Sequence, residues 1–401
     1  MPNETLTAAG FRAGAAAAGI KPSGALDVGV LVSETPCHAA AVFTSNRFCG
    51  APVEVGREHV RNGRLRGVVV NSGVSNVATG RRGVADARAM CARLARHVGA
   101  DFSEILPAST GLIGTFLPMA KVLAGIDAAA EALSSSTRAG RDFARAILTT
   151  DTRAKVSLRR VRIGARPVVV AGCCKGSGMI APNMATMLAF LGTDAAISPP
   201  LLRRALRDAV AGSFNRVTVD ECESTSDTVA ILANGRSGAA AIREVTSPAF
   251  RRFAGALGEV CSELAYQIAA DGEGATRVIE VAVRRAATPA DAHDVARTVA
   301  VSPLFRTAVH GCDPNWGRII QAIGTTRARF DPGRIVVRIC GEAVFRRGRP
   351  VETADLAKVS RRMRAKDVPV VIDLAAGRAD DRVLTCDLTK GYITINAEYH
   401  T

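Results

Sequence analysis

Short runs of valine, isoleucine and alanine alternate along the chain with longer segments whose apolar residues recur every three or four positions. The runs DVGVLVS, AAAVFT and RGVVVNS are short and rich in valine, which predicts strands. In VADARAMCARLARHVG, one helical face is predicted to carry Val84, Ala87, Cys91, Leu94 and Val98. Because strand-like runs and helix-like segments alternate, the sequence predicts a mixed α/β fold.

The pattern continues into the second half of the chain. Helices are expected around 119–132 and 138–148, in PPLLRRALRDAVAGSF, and in a long segment that Gly272 ends. KVSLRRVRI followed by RPVVVAG predicts a hairpin, and DTVAILANG, RVIEVAV, RIVVRIC, VPVVIDLAAG and the final GYITINAEY predict strands. With 401 residues, the chain is long enough for two domains, or for one large domain with an appendage.

Composition argues against a nucleic-acid-binding protein. The net charge is +15, but the arginines are scattered along the chain rather than clustered. Only 4% of the residues are aromatic, so surfaces on which bases could stack are scarce. A basic balance of this kind suits small anionic molecules instead.

Other residue types predict a protein without metal or membrane anchor. The ten cysteines include no C-x-x-C motif, which is typical of reduced thiols in a cytosolic protein. The six histidines form no pair at helical spacing, so no metal site is predicted. The N-terminus has no secretory pattern, and no apolar run reaches the roughly 18 residues of a membrane helix. We therefore expect a cytoplasmic location.

The segment KGSGMIAPNMATML, residues 175–188, leads through small residues to a single hydroxyl group, that of Thr186. A threonine hydroxyl is a poor nucleophile unless a base takes its proton, and the segment contains no His, Asp or Glu. Cleavage of the bond between Ala185 and Thr186 would release an α-amine, whose pKa of about 7.7–8.0 suits a general base. From these residues alone, a phosphate-binding loop and a simple turn remain open as alternatives.

The same segment closely resembles the self-cleaving region of the ornithine acetyltransferase family, the bifunctional glutamate N-acetyltransferases of arginine biosynthesis. Further motifs resemble that family and follow in its order: GFRAGAAAAGIKPSG, VVVNSGVSNVATG, PASTGLIG, ILTTDT, TVDECESTSDT, AADGEGATR, CDPNWGRI and INAEYHT. The resemblance extends from about residue 10 to Thr401, and the set is highly specific.

The resemblance implies a reaction and a fold. The precursor is expected to cut itself between Ala185 and Thr186 into an α chain, 1–185, and a β chain, 186–401. Thr186 would then carry acetyl from N-acetylornithine to glutamate in a ping-pong transfer. The implied fold is a layered α/β sandwich similar to N-terminal nucleophile hydrolases, with a smaller C-terminal α/β portion. An α2β2 assembly without metal or organic cofactor is implied, with acetyl-CoA as a substrate only if N-acetylglutamate is also made directly.

The resemblance also implies roles for individual residues. Thr110 and Gly111 match the family's oxyanion hole, which stabilises the negative oxygen of a tetrahedral intermediate. A cation at 175 suits a substrate carboxylate, and an acidic residue at 273 suits a substrate amine. Substrate contacts are implied for Thr149, Lys175, Thr186, Glu273, Asn396 and Thr401, with Thr150 as an alternative to Thr149. Trp316 in CDPNWGRI is expected to be structural.

Three other functions stay open from the sequence. A self-processed aminopeptidase or amidase would use water as the acceptor in place of glutamate. An ornithine-type acyltransferase of specialised metabolism would use a different acyl donor. A basic nucleic-acid-associated protein would need the clustered basic and aromatic residues that this sequence lacks.

Overall fold

The computed structural model of the chain describes residues 8–181 and 187–398. These residues form two compact units. The first comprises the residues up to 215 together with 222–267, and the second comprises 216–221 together with the residues from 268 onwards. Each unit contains one mixed sheet with helices, so the predicted layered α/β architecture with a smaller C-terminal portion is confirmed.

The sheet of the first unit has eight strands in the order β4-β3-β2-β8-β7-β6-β5, with β1 paired to β2. The pairs β3–β4 and β7–β8 are parallel, and the other pairs are antiparallel. The strands are β1 Phe11–Ala16, β2 Val28–Phe43, β3 Arg64–Val74, β4 Ile105–Leu112, β5 Lys155–Ile163, β6 Arg166–Lys175, β7 Leu188–Thr193 and β8 Thr228–Ala233.

Helices cover both faces of this sheet because the strands are apolar on both sides. Val28, Val30 and Val32 of β2 pack into one buried cluster, whereas Leu31 packs into another on the opposite face of the sheet. The helices of this part of the chain are α1 Ala51–His59, α2 Gly80–Val98, α3 Met119–Glu131, α4 Thr137–Ala146, α5 Pro199–Ala211 and α6 Pro248–Ala269, with short 3-10 turns at Val60–Asn62, Phe102–Glu104 and Phe214–Arg216.

The second unit has a six-stranded sheet in the order β12-β11-β10-β13-β9-β14. Its core joins buried residues of the sheet, such as Val281 and Ile372, to those of helices, such as Val295. The strands are β9 Val278–Ala286, β10 Val336–Ile339, β11 Glu342–Arg346, β12 Arg349–Pro350, β13 Asp367–Asp373 and β14 Ala379–Cys386. The helices are α7 Pro289–Val301, α8 Pro303–His310, α9 Trp316–Ile323, α10 Leu356–Arg362 and α11 Lys390–Glu398. The Trp316 ring stacks on Phe345 at 5.4 Å between centroids, consistent with its predicted structural role.

One predicted strand is wrong. The segment GYITINAEY, whose isoleucines and tyrosines favour a strand, lies largely in helix α11. Its Ile393 is 63% exposed, so this apolar residue does not face a core. The Thr389 hydroxyl accepts the Gly391 amide and donates to the Gly274 carbonyl at 2.7 Å, which fixes the start of the helix. Tertiary contact therefore overrides strand propensity here.

The predicted cleavage point does not coincide with the boundary between the two units. Strands β6 and β7 flank the segment 182–186 and pair with each other antiparallel in one sheet. A cut between Ala185 and Thr186 would therefore leave the first unit built from both products. The predicted chains 1–185 and 186–401 would have to stay associated for this sheet to persist.

Candidate functional site

Strand β4 carries Thr110 and Gly111 to its end, where it pairs with β3. Thr110 is paired with Ser72 and Gly111 with Gly73, and the register shifts at the next residue. Thr110 is only 5% exposed, and its hydroxyl makes no hydrogen bond to any residue that the structure describes. The strand end thus presents the hydroxyl of a buried threonine next to a glycine backbone, two kinds of donor that an oxyanion hole can use.

Gly111 lies where a side chain does not fit. Its φ is +128°, and a Cβ on it would lie 2.3 Å from the carbonyl carbon of Gly73. Gly114 in the following loop also has a positive φ, +79°, but a Cβ there would have no heavy atom within 4 Å. A side chain at Gly114 would therefore meet only backbone strain, whereas a side chain at Gly111 would meet both backbone strain and a steric clash.

We expect Gly111→Ala to lower the free energy of unfolding by at least about 3 kcal/mol, because backbone strain and a clash with Gly73 add together. Gly114→Ala should cost about 1–2 kcal/mol, since only the unfavourable φ is involved. Urea unfolding of the two variants beside the wild type measures both values. Equal losses for the two variants would contradict the close β3–β4 approach.

A fully buried aspartate, Asp151, organises the ILTTDT segment. Its carboxylate accepts hydrogen bonds from Lys155 Nζ at 2.6 Å and from the Gly176 amide at 2.7 Å. It also accepts the Thr149 amide at 3.2 Å and lies 3.9 Å from Lys175 Nζ. Burial alone would raise the pKa of Asp151, but Lys175, Lys155 and the Gly176 amide together hold it below its usual value. Asp151 is therefore charged, and it was not identified from the sequence.

The structure brings three of the predicted residues together around Asp151. Lys175 is the last residue of β6 and is 3% exposed. The Thr150 hydroxyl hydrogen-bonds Ser177 Oγ at 2.8 Å, while the Thr149 hydroxyl has no hydrogen-bond partner among the described residues. Thr149 thus has the hydroxyl that is available to a ligand.

A second lysine, Lys21, lies close to this cluster. The buried carboxylate of Asp27 accepts the amides of Ile20 and Lys21, which fixes the loop, and Lys21 Nζ donates to the Leu26 carbonyl at 2.8 Å. A Cβ on Gly73 would lie 3.3 Å from the Lys21 stem, so this lysine runs past the end of β3. Burial, aided by the charge of Lys175, lowers the pKa of Lys21 to about 8. Lys21 was not identified from the sequence, although it lies in the motif GIKPSG, which could have indicated it.

In the second unit, Glu273 and Asn396 contact each other directly. Asn396 Nδ2 donates to Glu273 Oε2 at 2.8 Å, and Glu273 is 8% exposed. The neighbouring Gly274 has a φ of +69°, and a Cβ there would lie 2.4 Å from the Tyr392 amide nitrogen. Only a glycine therefore lets the Glu273 loop approach helix α11 this closely.

Asp387 holds the other side of the Glu273 loop. Its carboxylate is fully buried and accepts the amides of Thr276 and Arg277, both at 2.8 Å. It also accepts the Thr276 hydroxyl at 2.5 Å and lies 3.0 Å from His310 Nδ1. The backbone that follows Glu273 is thus fixed by hydrogen bonds to the Asp387 carboxylate.

Other predictions concern residues that the structure places elsewhere or does not describe. Ala185, Thr186 and Thr401 lie outside the described residues. Cys173 and Cys174 are fully buried, and burial raises the pKa of both thiols, as expected for packing residues. Within residues 8–181 and 187–398, no three His, Cys, Asp or Glu side chains are grouped as metal ligands would be. No helix in those ranges has the length and hydropathy needed to cross a membrane.

Comparison with known proteins extends over nearly the whole chain. The model of the ArgJ family matches residues 12–401. The arginine biosynthesis bifunctional protein ArgJ of Symbiobacterium thermophilum is 47% identical over 395 residues, which cover 98% of this chain and 97% of that protein. The protein of the same name from Methylococcus capsulatus is 45% identical, with 98% and 96% covered. A crystal structure of ArgJ from Bacillus halodurans is 37% identical with a TM-score of 0.52, covering 53% of this chain and 100% of that one.

Proposed function

Because the chain belongs to the ArgJ family of arginine-biosynthesis acyltransferases, we propose that it moves acetyl from N2-acetyl-L-ornithine to L-glutamate. The observation that carries this proposal is the buried lysine at the end of β6, which lies 3.9 Å from the Asp151 carboxylate that also accepts the Thr149 amide. Lys175 would pair with the α-carboxylate of the amino-acid substrate, and Thr149 would hydrogen-bond to the same ligand. The alternative contact, Thr150, is less suited because its hydroxyl is bonded to Ser177.

Self-cleavage would prepare the nucleophile. Hydrolysis of the bond between Ala185 and Thr186 consumes one water and leaves a carboxyl group on Ala185 and an α-amine on Thr186, beside the threonine hydroxyl. That amine can accept the hydroxyl proton. The hydroxyl oxygen then attacks the acetyl carbonyl of N-acetylornithine, and ornithine leaves with the transferred proton. The resulting acetyl-threonine ester is attacked by the amine of glutamate, which restores the hydroxyl and yields N-acetylglutamate.

The negative oxygen of each tetrahedral intermediate would be stabilised by the Thr110 hydroxyl and the Gly111 amide. A donor aimed at such an oxygen contributes about 2.7–4 kcal/mol. The buried position of Thr110 supports this role, since hydrogen bonds to charge are stronger away from water. The tight β3–β4 pairing at Gly73 and Gly111 would keep both donors in place without rearrangement.

Glu273 would pair with a substrate ammonium group. Asn396 donates to one oxygen of its carboxylate, which orients the side chain. The C-terminal Thr401 is proposed as a further substrate contact. A cytoplasmic α2β2 assembly that needs no metal or organic cofactor completes the proposal, with acetyl-CoA as a second acetyl donor only if the enzyme also acetylates glutamate directly.

The choice of acceptor tests this function. Purified full-length protein is incubated with N-acetylornithine, with and without glutamate, and ornithine, N-acetylglutamate and acetate are quantified. We expect glutamate to accelerate ornithine release and N-acetylglutamate to appear in equal amount, with the parallel double-reciprocal plots of ping-pong transfer. Release of acetate at a rate that glutamate does not alter would instead identify an amidase. Replacing N-acetylornithine by acetyl-CoA in the same assay distinguishes a bifunctional from a monofunctional enzyme.

A further inference from the structure

Asp227 is a buried acid to which none of the roles above gives a function. It lies in the TVDECESTSDT motif directly before β8 and is 0% exposed. Its Oδ1 accepts the Met187 amide at 2.6 Å. Its Oδ2 is buried and has no hydrogen-bond partner among residues 8–181 and 187–398. A buried carboxyl oxygen left without a partner is costly, which points to a function for it.

Met187 is held at both of its backbone polar groups. Asp227 binds its amide, and the next residue, Thr228, donates its own amide to the Met187 carbonyl at 3.2 Å. From there β7 and β8 continue in parallel register, with Leu188 opposite Thr228. The position of the Met187 backbone is therefore fixed by Thr228, the first residue of β8, and by Asp227 directly before it.

Met187 is also the residue that a single peptide bond joins to Thr186. We propose that Asp227 is a positioning residue for the Thr186 nucleophile, because its Oδ1 accepts the amide of Met187, the residue that follows the nucleophile. This inference rests on the proposed function, because it takes Thr186 as the nucleophile. It assigns a role to a residue 41 positions away in the chain, which the tight β7–β8 pairing brings alongside.

The surroundings of Asp227 favour its neutral form. Burial raises its pKa well above the usual value, and the charge of Glu223 acts in the same direction. The Met187 amide and Lys175 favour the charged form but do not outweigh burial. The Ser224 hydroxyl also lies close enough to favour that form, yet it makes no hydrogen bond of good geometry with Oδ2. A neutral Asp227 does not compete with a substrate carboxylate for Lys175.

Three variants test the assignment. Asp227→Asn keeps an oxygen for the Met187 amide and places an N–H donor at the second position, so self-cleavage and kcat should stay within about threefold of wild type. Asp227→Ala removes both polar positions, so the Met187 amide loses its acceptor. If the nucleophile shifts by about 1 Å as a result, kcat should fall about 100-fold, with a smaller change in KM. Asp194→Ala is the matched control. Asp194 follows the other end of β7, is 5% exposed and accepts the Val169 amide at 2.8 Å.

The readouts are the self-cleavage rate by intact mass, kcat and KM for N-acetylornithine, and the melting temperature. We expect Asp194→Ala to lower the melting temperature as Asp227→Ala does, while its kcat stays near that of wild type. Asp227→Ala with wild-type cleavage and kcat would overturn the proposal. Equal kcat losses in Asp227→Asn and Asp227→Ala would also overturn it, as would equal losses in Asp227→Ala and Asp194→Ala.

The pH dependence gives a readout that a structural role would not change. Asp227 ionises as pH rises, whereas asparagine stays neutral, so the ratio of the Asp227→Asn kcat to the wild-type kcat should increase with pH. The wild type should also lose stability relative to Asp227→Asn as pH rises above the unfolded carboxyl pKa of about 3.9, because only the folded acid keeps its proton. A constant ratio across the pH range would overturn the proposal even if Asp227→Ala did not fold. If the wild type cuts itself but transfers no acetyl, the proposed function fails while the cleavage rates still report on Asp227.

Discussion

Replacing Thr186 with alanine should give a single uncut chain close to 41.8 kDa that releases no ornithine from N-acetylornithine. One hydroxyl would serve both the self-cleavage and the acetyl transfer, so its removal stops both. Loss of a catalytic nucleophile lowers kcat on the order of 10⁶-fold in a comparable acyl-transfer enzyme. Intact mass, N-terminal sequencing and ornithine quantification measure the three consequences on the same sample, whereas the wild type should give a second chain that begins at Thr186.

Thr186→Ser is the matched control, because it keeps the hydroxyl and removes only a methyl group. It should still cut itself and transfer acetyl, at reduced rates. Ornithine release by Thr186→Ala would contradict the role of Thr186 as nucleophile. An uncut wild-type chain that transfers acetyl at full rate would contradict the α-amine as general base, although the hydroxyl could still be the nucleophile.

The local parts of the fold could be predicted because their signals are local. The three-and-four spacing from Val84 to Val98 predicts α2, and two β-branched runs around the short turn at Gly164 predict the β5–β6 hairpin. Both predictions are confirmed. The C-terminal helix α11 could not be predicted in this way. It depends on Thr389 meeting the carbonyl of Gly274, a residue 115 positions earlier in the chain.

The candidate site likewise contains residues that the sequence identifies and residues that only the folded structure identifies. Thr110, Gly111, Lys175, Glu273 and Asn396 were identified because they lie in motifs that resemble a known family. Asp151 lies in one of those motifs but became a candidate only through its bonds to Lys155 and Gly176. Lys21 and Asp227 also lie in such motifs, but Lys21 became a candidate only through its burial beside Asp27, and Asp227 only through its bond to the Met187 amide. A sequence states which residues are present in a motif, but burial and hydrogen-bond partners decide which of them are charged.

Asp151→Ala should lower the free energy of unfolding by about 3–5 kcal/mol, because it removes a buried carboxylate that faces two buried lysines. Lys155 is 0% exposed and Lys175 is 3% exposed, so neither can reach bulk water to replace the lost carboxylate. The Gly176 amide would lose its acceptor in addition. Urea unfolding at pH 7 measures the loss, and Asp142→Ala provides the control.

The control removes an aspartate whose ion pairs lie at the surface. Asp142 is paired with Arg138 and Arg145, whose side chains are 93% and 65% exposed, so its loss should cost no more than about 1 kcal/mol. Equal costs for the two variants would contradict a charged, buried Asp151. A double variant, Asp151→Ala with Lys155→Met, should recover part of the loss, because it also removes a buried charge.

The pH dependence of stability checks the charge state of Asp151 independently. Its pKa is lower in the folded protein than in the unfolded chain, so the stabilisation is fully present above the unfolded value of about 3.9. It should be lost as pH falls from there through the folded pKa, where both states take up the proton. The stability difference between wild type and Asp151→Ala should therefore shrink below about pH 4. Because the same carboxylate holds Lys175 and the Thr149 amide, Asp151→Ala should also raise KM for N-acetylornithine at pH 7, where the folded fraction is still high.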